Sequence, residues 1–516
     1  MKKFLTPLTL LFAFSASVFA QTSFESVQTE SGLVSGKTNT NGDVYIFKGI
    51  PFAAPPVGEL RWKAPQPVAK WIGVKQCDQF GPSPMQNKPV PFSMWSQEFL
   101  IPEKPISEDC LYLNVWTASK SAKEKRPVLV WIYGGGFTSG GSACPIYDGE
   151  AMAKKGIVFV SINYRVGIFG FFAHPDLTKE SGNNASGNYG LMDQIAALHW
   201  VKKNITAFGG DASNVTIEGQ SAGSMSVNCL VASPLAKGLF QKAIAESGAS
   251  FVASSVRGNN MLRDAEQEGV KIAQSVQANS IEELRKKTAE ELLQKAQGFR
   301  GPIVDGYVLP ETIEAIFEKN EENKIALLTG WNEDEGLLFG PVKNAEDFRK
   351  ELVKQYGEDG KAFLQFYPAD NDSTAAVSQL QLSRDMIFGV QNYTWANVES
   401  GHGSKVYVYR FTRKVPATGE YVKYGAFHTG EVPYAYNNLK FVNRPWQPVD
   451  YELADTMSSY WVNFAKTGNP NANELPEWKV YDSKNKMIMI LGEKSSLQTI
   501  PDKEALDFLY SRMKGK

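Results

Sequence analysis

Short runs of apolar residues alternate along this chain with segments whose apolar residues recur at helical spacing. Six of the runs have the length and the flanking turn residues of buried strands: residues 127–133, 157–162, 215–217, 243–245, 325–328 and 406–409. Between the second and the third run, apolar residues follow helical spacing at Leu191, Ile195, Leu198 and Val201. Strands that alternate with helices predict an α/β fold, in which a mainly parallel sheet carries helices on both faces.

The first twenty residues differ from the rest of the chain. Lys2 and Lys3 precede a mostly apolar stretch at residues 4–14, and residues 18–20 offer a cleavage site. This order is typical of a secretory signal peptide, and the apolar stretch is too short to span a bilayer stably. No later segment reaches the apolar length of a membrane span. The sequence therefore predicts an exported protein, periplasmic or secreted, whose mature chain covers residues 21–516.

The charge balance narrows the range of partners, and the length bears on the number of domains. The chain has 54 basic and 55 acidic residues among its 516, which gives a formal net charge of −1. Such a balance offers no attraction to nucleic acid or to an anionic membrane, and it favours a small, roughly neutral molecule as the partner. The length alone suggests two or more domains. The sequence does not fix the oligomeric state.

Four cysteines, Cys77, Cys110, Cys144 and Cys229, would enter the oxidising space outside the cytoplasm. They allow three disulfide connectivities, and the sequence does not choose among them. A Cys77–Cys110 bridge would close a loop of moderate length. The chain has no Cys-x-x-Cys motif and no histidine near these cysteines, so no metal site is predicted.

The strongest chemical signal is Gly219-Gln-Ser-Ala-Gly223, with Ser221 at its centre. A Gly-x-Ser-x-Gly turn between a strand and a helix exposes the serine hydroxyl above the sheet edge, at a helix N-terminus that favours negative charge. The pattern also occurs by chance in ordinary turns. Here it follows the strand-like run at residues 215–217 and precedes a helix-compatible stretch at 222–230, which favours a nucleophilic serine.

A serine nucleophile needs a base, and the base needs a carboxylate. In folds that present a serine on a Gly-x-Ser-x-Gly turn, the acid and the histidine both follow the serine in the chain. This order leaves His402 and His428 as candidate bases. His428 is favoured because it follows a strand and is flanked by glycine turns, whereas His402 precedes a strand. The segment after the strand at 325–328 presents three candidate acids, and spacing alone does not choose among them: Glu333, Asp334 and Glu335.

A Gly-rich loop follows the strand at 127–133. The N–H groups of Gly134, Gly135 and Gly136 can approach a substrate closely because glycine has no Cβ, and with the N–H of Ala222 they can form an oxyanion hole. The loop could also resemble a dinucleotide-binding turn. Ser139 stands where that fingerprint needs its third glycine, so no cofactor is predicted.

Several segments resemble the type-B carboxylesterase/cholinesterase family. They are Phe208-Gly-Gly-Asp-Ala-Ser-Asn-Val-Thr-Ile-Glu-Gly-Gln-Ser-Ala-Gly223, Glu108-Asp-Cys-Leu-Tyr-Leu-Asn114, Trp131-Ile-Tyr-Gly-Gly-Gly-Phe137 and Asn332-Glu-Asp-Glu-Gly336. Gly49-Ile-Pro-Phe-Ala53 and Phe464-Ala-Lys-Thr-Gly-Asn-Pro470 also match, so the resemblance covers nearly the whole mature chain.

The resemblance implies an α/β-hydrolase fold in one catalytic domain, residues 21–516, with helical caps inserted at about 258–320 and 340–400. It implies a serine carboxylesterase that needs neither metal nor organic cofactor and acts on a small-molecule ester. The site residues it implies are the nucleophile Ser221, the acid Glu335, the base His428, the oxyanion donors Gly135, Gly136 and Ala222, and a Cys77–Cys110 disulfide.

Two positions depart from the family pattern: the first bears on substrate choice, and the second lies beside the oxyanion hole, which should survive because its donors are backbone groups. Gln220 stands where many members have Glu, which should weaken a preference for cationic substrates, and Tyr133 stands where many esterases have His. Phe92 and Trp95 lie where cholinesterases carry a choline-binding aromatic residue, and they are interpreted here as ordinary loop packing. We therefore expect an esterase for uncharged acyl or aryl esters. A binding or adhesion module without activity, and an amide, carbamate or polyester hydrolase, are the alternatives.

Overall fold

A computed structural model describes residues 26–251, 261–295, 301–338 and 340–514. The predicted signal peptide, residues 1–20, lies outside the described residues, as does the expected start of the first cap at 258. The strands are β1 (Val27–Thr29), β2 (Gly32–Ser35), β3 (Lys37–Thr38), β4 (Tyr45–Pro51), β5 (Val74–Gln76), β6 (Ser83–Pro84), β7 (Ile106–Ser107), β8 (Tyr112–Thr117), β9 (Arg126–Ile132), β10 (Val158–Ile162), β11 (Gly210–Gln220), β12 (Lys242–Glu246), β13 (Ala326–Asn332), β14 (Val406–Phe411), β15 (Met487–Leu491) and β16 (Ser496–Thr499).

The helices lie between these strands. They are α1 (Glu150–Lys154), α2 (Gly167–Phe171), α3 (Pro175–Glu180), α4 (Tyr189–Asn204), α5 (Ala222–Ala232), α6 (Leu262–Ser275), α7 (Ile281–Lys286), α8 (Ala289–Lys295), α9 (Ile313–Glu318), α10 (Ala345–Tyr356), α11 (Gly360–Phe366), α12 (Asp372–Arg384), α13 (Val390–Gly401), α14 (Val432–Ala435), α15 (Pro448–Thr467) and α16 (Lys503–Lys514). A single π-helical turn, Asp385–Gly389, joins α12 to α13.

One large sheet organises the molecule. It has 11 strands in the order β16-β15-β14-β13-β12-β11-β9-β10-β8-β4-β3. The strands from β15 to β10 run parallel, and antiparallel strands flank them at both edges. All carboxyl ends of the parallel strands therefore meet at one edge, where such sheets build their sites.

The six predicted strands are confirmed as β9 to β14, and the predicted helix at 191–201 is confirmed within α4. The burial of these strands explains why they are easy to recognise in the sequence. Every residue of β10, β12 and β14 is buried, because a parallel strand covered on both faces needs apolar residues in continuous rather than alternating order. The mostly parallel sheet with flanking helices agrees with the predicted fold class.

Helical insertions separate the last strands of the parallel sheet. Helices α6 to α9 lie between β12 and β13, and α10 to α13 lie between β13 and β14. The first group has a hydrophobic cluster of its own. Ile272, Ala273 and Leu284 pack there with Trp62 and Phe172, apart from the core of the large sheet. This cluster holds the first insertion against the loops above the sheet. No helix of the described residues is long and apolar enough to cross a membrane.

The predicted disulfide is not formed in the structure. Cys77 and Cys110 are both buried free thiols, and they lie in different surroundings. Burial raises the pKa of Cys77 to about 11, with Lys75 and Asp78 as charged neighbours. Burial also raises the pKa of Cys110, but there the charged neighbours are Asp193 and Arg165.

Candidate active site

Ser221 lies on a tight turn between β11 and α5. Its φ of 58° and ψ of −123° place it in a region that L-residues rarely adopt. Its backbone N–H donates to the Glu246 carbonyl at the end of β12 (2.9 Å), and its own carbonyl accepts the Met225 N–H (2.9 Å). These bonds hold the turn in its strained conformation, with the serine as the N-cap residue immediately before α5.

The two glycines of the motif are required by close backbone contacts. A Cβ on Gly219 would lie 2.4 Å from the backbone of Gly223, and a Cβ on Gly223 would lie 2.0 Å from the Ile132 carbonyl oxygen. Any side chain at either position would push β11, α5 and β9 apart. The Gly-x-Ser-x-Gly pattern therefore reflects packing, which explains why it is informative in a sequence.

The structure brings Glu335 and His428 together. The Glu335 carboxylate, fully buried after β13, lies 2.8 Å from His428 Nδ1 through its Oε2. The other two candidate acids have different partners. Glu333 forms ion pairs with Arg384 and Arg410, and Asp334 Oδ2 accepts the N–H of Ala426.

Aromatic side chains position the imidazole of His428. Phe388, on the π-helical turn, stacks on the ring at 4.3 Å between centroids and 19° between planes. Trp95 meets the ring edge-on at 6.2 Å. His402, the other candidate base, lies elsewhere: its Nδ1 is 3.0 Å from a carboxylate oxygen of Glu322.

Ser221 and His428 line the same cavity, but no hydrogen bond joins Ser221 Oγ to the His428 ring. The side chain of Gln220, next to Ser221 on the turn, does contact the ring. Its Nε2 lies 3.4 Å from Nδ1 and 3.3 Å from Nε2 of His428. Catalytic hydrogen bonds are often long without substrate and tighten when it binds.

The Gly-rich loop after β9 lies against the nucleophile's turn. Gly135 and Gly136 have positive φ values of 106° and 63°, and a Cβ on Gly134 would lie 3.0 Å from that of Ser221. Tyr133, at the base of the loop, stacks on Tyr164 at 4.4 Å. Each tyrosine hydroxyl donates to the other's backbone carbonyl at 2.8 Å. Gly135 and Gly136 line the cavity beside Ser221, while the third predicted donor, Ala222, is the buried first residue of α5.

The cavity above these residues has a volume of about 710 Å³, within the usual range for small-molecule sites. Its wall is mostly apolar and includes Phe92, Trp95, Phe99, Leu309, Ile313, Ile387 and Phe388. Among the described residues, no Asp or Glu lines it. Lys88 does line it, and its ammonium group pairs with Glu103. Phe92 and Trp95 pack on each other within their loop, with ring centroids 4.7 Å apart, and both also line the cavity.

The sequence reasoning missed two residues beneath the Glu335–His428 pair. The backbone N–H of Asn332 donates to Glu335 Oε1 at 2.7 Å, and its side-chain amide donates to the Phe427 carbonyl and to Glu431 Oε2. Asn332 thus links the turn of the acid to the turn of the histidine. Burial raises the pKa of Glu431 to about 8, and the charge of Glu335 adds to the shift. The Glu431 carboxyl group is therefore protonated at neutral pH.

No group of three or more His, Cys, Asp or Glu side chains that could hold a metal ion occurs among residues 26–251, 261–295, 301–338 and 340–514. Cys144 and Cys229 are buried, line the cavity and form no disulfide. Burial raises the pKa of Cys144 to about 12, so its thiol stays protonated at neutral pH. A protonated thiol is a weak nucleophile, which leaves Ser221 as the stronger candidate.

Comparison with known proteins adds the family context. A family model described as the carboxylesterase family matches residues 23–509. The chain is 37% identical over 487 residues to a fumonisin B1 esterase of Sphingopyxis macrogoltabida, covering 90% of this chain and 86% of that protein. It is 36% identical over 508 residues to the para-nitrobenzyl esterase of Bacillus subtilis, covering 94% and 98%.

Solved structures of similar proteins share the whole architecture. A structure of a PNB esterase aligns with a TM-score of 0.78 and 34% identity, covering 94% of this chain and 100% of that one. A second structure of PNB esterase aligns with a TM-score of 0.80.

Proposed function

The chain belongs to the carboxylesterase family and is a carboxylic ester hydrolase of the α/β-hydrolase fold, and we propose that it works through a triad of Ser221, His428 and Glu335. The observation that carries the proposal is the 2.8 Å contact of Glu335 Oε2 with His428 Nδ1, in the wall of the cavity that Ser221 also lines. A carboxylate at Nδ1 fixes the proton there and leaves Nε2 with a free lone pair.

In the first half-reaction, Ser221 Oγ attacks the ester carbonyl carbon and passes its proton to His428 Nε2. The carbonyl π electrons move to oxygen, and the oxyanion is held by the N–H groups of Gly135, Gly136 and Ala222. These donors are fixed before substrate arrives, because the positive φ values of the two glycines and the start of α5 set their directions. Collapse of the intermediate expels the alcohol oxygen, which takes the proton from His428.

In the second half-reaction, water replaces the alcohol. His428 Nε2 accepts one proton of the water as its oxygen attacks the acyl carbon, and the same oxyanion donors hold the second intermediate. The Ser221 oxygen then leaves and takes the proton back, which releases the carboxylic acid. Glu335 orients the imidazole and stabilises the imidazolium that forms twice in each cycle.

The nucleophile is tested with a fluorophosphonate probe and a Ser221→Ala variant. We expect covalent labelling of the wild-type protein and neither labelling nor ester hydrolysis in the variant. Ser224 offers a matched control, since it follows in the same helix but donates to the Gly248 carbonyl instead of facing the cavity. Ser224→Ala should keep the label. A Ser221→Ala variant with full activity would refute the triad.

We further propose that the substrates are neutral esters with a sizeable apolar part. The mostly apolar wall of the cavity and the lack of a carboxylate among its described lining residues support this, since a buried cation without a counter-charge is unfavourable. Neutral 3,3-dimethylbutyl acetate should be hydrolysed with higher kcat/KM than acetylcholine, its cationic counterpart of the same shape. A clear preference for acetylcholine would contradict the proposal.

The proposal extends to residues 1–20 as an export signal and to residues 21–516 as a single catalytic domain. The charged start at Lys2 and Lys3 with the apolar stretch after it supports the signal. The family match over residues 23–509 supports a domain without further partition. Sequencing of the mature N-terminus tests the signal, and retention of Met1 would exclude cleavage.

A further inference from the structure

A chain of hydrogen bonds reaches the catalytic imidazole from the cavity wall. Trp95 Nε1 donates to Thr429 Oγ1 at 3.1 Å, and Thr429 Oγ1 lies 3.4 Å from Gln220 Oε1. The Gln220 amide nitrogen then lies against His428. Gln220, Thr429 and His428 are all nearly fully buried.

The direction of these hydrogen bonds follows from their chemistry. An indole N–H can only donate, so Thr429 Oγ1 must accept from Trp95. In the structure the Thr429 hydroxyl donates its proton to the Gln220 carbonyl oxygen. With that oxygen facing Thr429, the NH₂ group of the amide faces His428. The donation from Thr429 therefore favours one of the two possible amide orientations.

The position of the amide nitrogen relative to the ring is also defined. It is almost equally far, 3.3 and 3.4 Å, from the two nitrogens of His428. A point in the ring plane at those distances would collide with Cε1, the carbon between the two nitrogens. The amide nitrogen therefore lies over one face of the ring, and Phe388 stacks on a ring face at 4.3 Å.

We propose that Gln220 is a positioning residue whose NH₂ group, oriented by Thr429 and Trp95, favours the neutral imidazole of His428 in the resting enzyme. The partial positive charge of an amide NH₂ over the ring opposes a positive ring, whereas a carboxylate in the same place would attract one. The proposal rests on the proposed role of His428 as the base. It predicts that this chain keeps its activity to lower pH than a variant with a carboxylate at position 220.

The other ionisable groups around the ring do not duplicate this effect. Glu335 contacts Nδ1, and its charge is part of the triad. Glu431, three residues after the histidine, is protonated at neutral pH because burial raises its pKa to about 8. Asp385 lies on the same turn as Phe388 and is paired with Arg384, and Asp334 accepts from the Ala426 N–H.

On β11, which carries Gln220, the remaining carboxyl group near the turn is that of Glu218. Burial raises its pKa to about 8, so it too is protonated at neutral pH. Trp95, which meets the ring from the opposite loop, is uncharged. Gln220 is therefore the group whose replacement changes the charge next to the ring face most directly.

The test is the pH dependence of kcat/KM for a neutral p-nitrophenyl ester. In Gln220→Glu the acid limb should move to higher pH by about 1 unit or more, because an opposite charge now lies close to the ring. Thr429→Val keeps the side-chain shape but frees the amide to turn its oxygen towards the ring, and the limb should move up by roughly half a unit. Thr429→Ser restores the hydroxyl, so its limb should match that of the wild type.

Thr394→Val is the matched control. Thr394 is buried on α13 and lines no part of the cavity, so this variant should keep the wild-type limb. If Gln220→Glu leaves the limb where it is, or if Thr429→Val and Thr429→Ser give the same limb, the inference is wrong. Trp95→Phe provides a second test of the relay if Thr429→Val does not fold, and it should move the limb in the same direction.

These outcomes are separate from those that test the triad. Failure of the proposed function would appear in the wild-type protein, as absent fluorophosphonate labelling or as full activity in Ser221→Ala. Failure of the Gln220 inference alone would appear as a labelled, active wild type whose variants share its acid limb.

Discussion

Two histidine–glutamate pairs lie at opposite ends of the same two neighbouring strands. At the carboxyl ends of β13 and β14, His428 Nδ1 meets Glu335 at 2.8 Å; at the amino ends, His402 Nδ1 meets Glu322 at 3.0 Å. Both glutamates are buried. A similar contact therefore occurs twice, and only one copy lies in the wall of the cavity.

The surroundings of the two pairs explain the difference. The carboxyl end of β11 lies at the same sheet edge as His428, so Ser221 and the glycine loop are close by. His402 instead ends α13, and Glu322 also accepts from the ammonium group of Lys324. The catalytic role proposed for His428 rests on Ser221 and the cavity next to it, because a carboxylate partner alone does not identify a site.

Each pair also has a buried glutamate next to it. Glu431 lies near Glu335, and Glu399 lies near Glu322. Burial raises the pKa of Glu431 to about 8 and that of Glu399 to about 7, with the neighbouring glutamate adding to both shifts. Both ends of the strands thus hold a buried carboxyl group with a raised pKa, whatever the role of the pair beside it.

The largest contrast is expected when the histidines are exchanged for glutamine one at a time. His428→Gln should lower kcat/KM for a p-nitrophenyl ester by about 10⁴-fold or more, because serine loses its base. His402→Gln should leave kcat/KM unchanged, since its ring lies outside the cavity. Initial rates on both purified variants measure this. A large loss in His402→Gln with an unchanged melting temperature would contradict the assignment.

The glutamates should show the same contrast at a smaller scale. Glu335→Gln should lower kcat by roughly 10³-fold, because an amide cannot stabilise the imidazolium as a carboxylate does. Glu322→Gln should keep kcat and lose some stability instead, as it weakens the contacts with His402 and Lys324. The kcat of each variant and its Tm separate the two effects. Equal kcat in both variants would remove the distinction between the pairs.

The sequence was most informative where packing and chemistry act on neighbouring residues. Gly219 and Gly223 mark the nucleophile because their Cβ positions are filled by backbone, and buried parallel strands stand out as continuous apolar runs. The carboxyl-end position of His428 could also be read from the order of the elements. These signals are local, so they need no knowledge of how distant segments meet.

The remaining features depend on contacts between distant segments. Spacing left Glu333, Asp334 and Glu335 open and the family resemblance named Glu335, whereas the ion pairs of Glu333 with Arg384 and Arg410 lie far along the chain and carry no local signal. Thr429, with a φ of 80°, and Asn332 carry no motif that would mark their links across the site. The expected Cys77–Cys110 bridge came from the family resemblance, and the structure keeps the two thiols in different surroundings.

The smallest expected effect concerns the ionisation of the buried carboxyl groups of Glu399 and Glu431. A carboxyl group whose folded pKa is raised from 4.5 keeps its proton in the folded state after the unfolded chain has lost it. Stability then falls as pH rises from about 4.5 to the folded value, which is about 7 for Glu399 and about 8 for Glu431. Glu399→Gln and Glu431→Gln should each remove part of that fall.

The free energy of unfolding at pH 5 and pH 8 measures this effect. Each variant should gain about 1–3 kcal/mol relative to wild type between the two pH values. The profile of Glu399→Gln should level off near pH 7, while that of Glu431→Gln should keep diverging to pH 8. Exposed Glu346 gives a control, because Glu346→Gln removes a carboxylate whose pKa is lowered by Lys350 and should add no such gain. If the free energy of unfolding of the variants changes with pH as it does in the wild type, the two carboxyl groups ionise normally. The likeness between the two ends of β13 and β14 would then be limited to the histidine pairs.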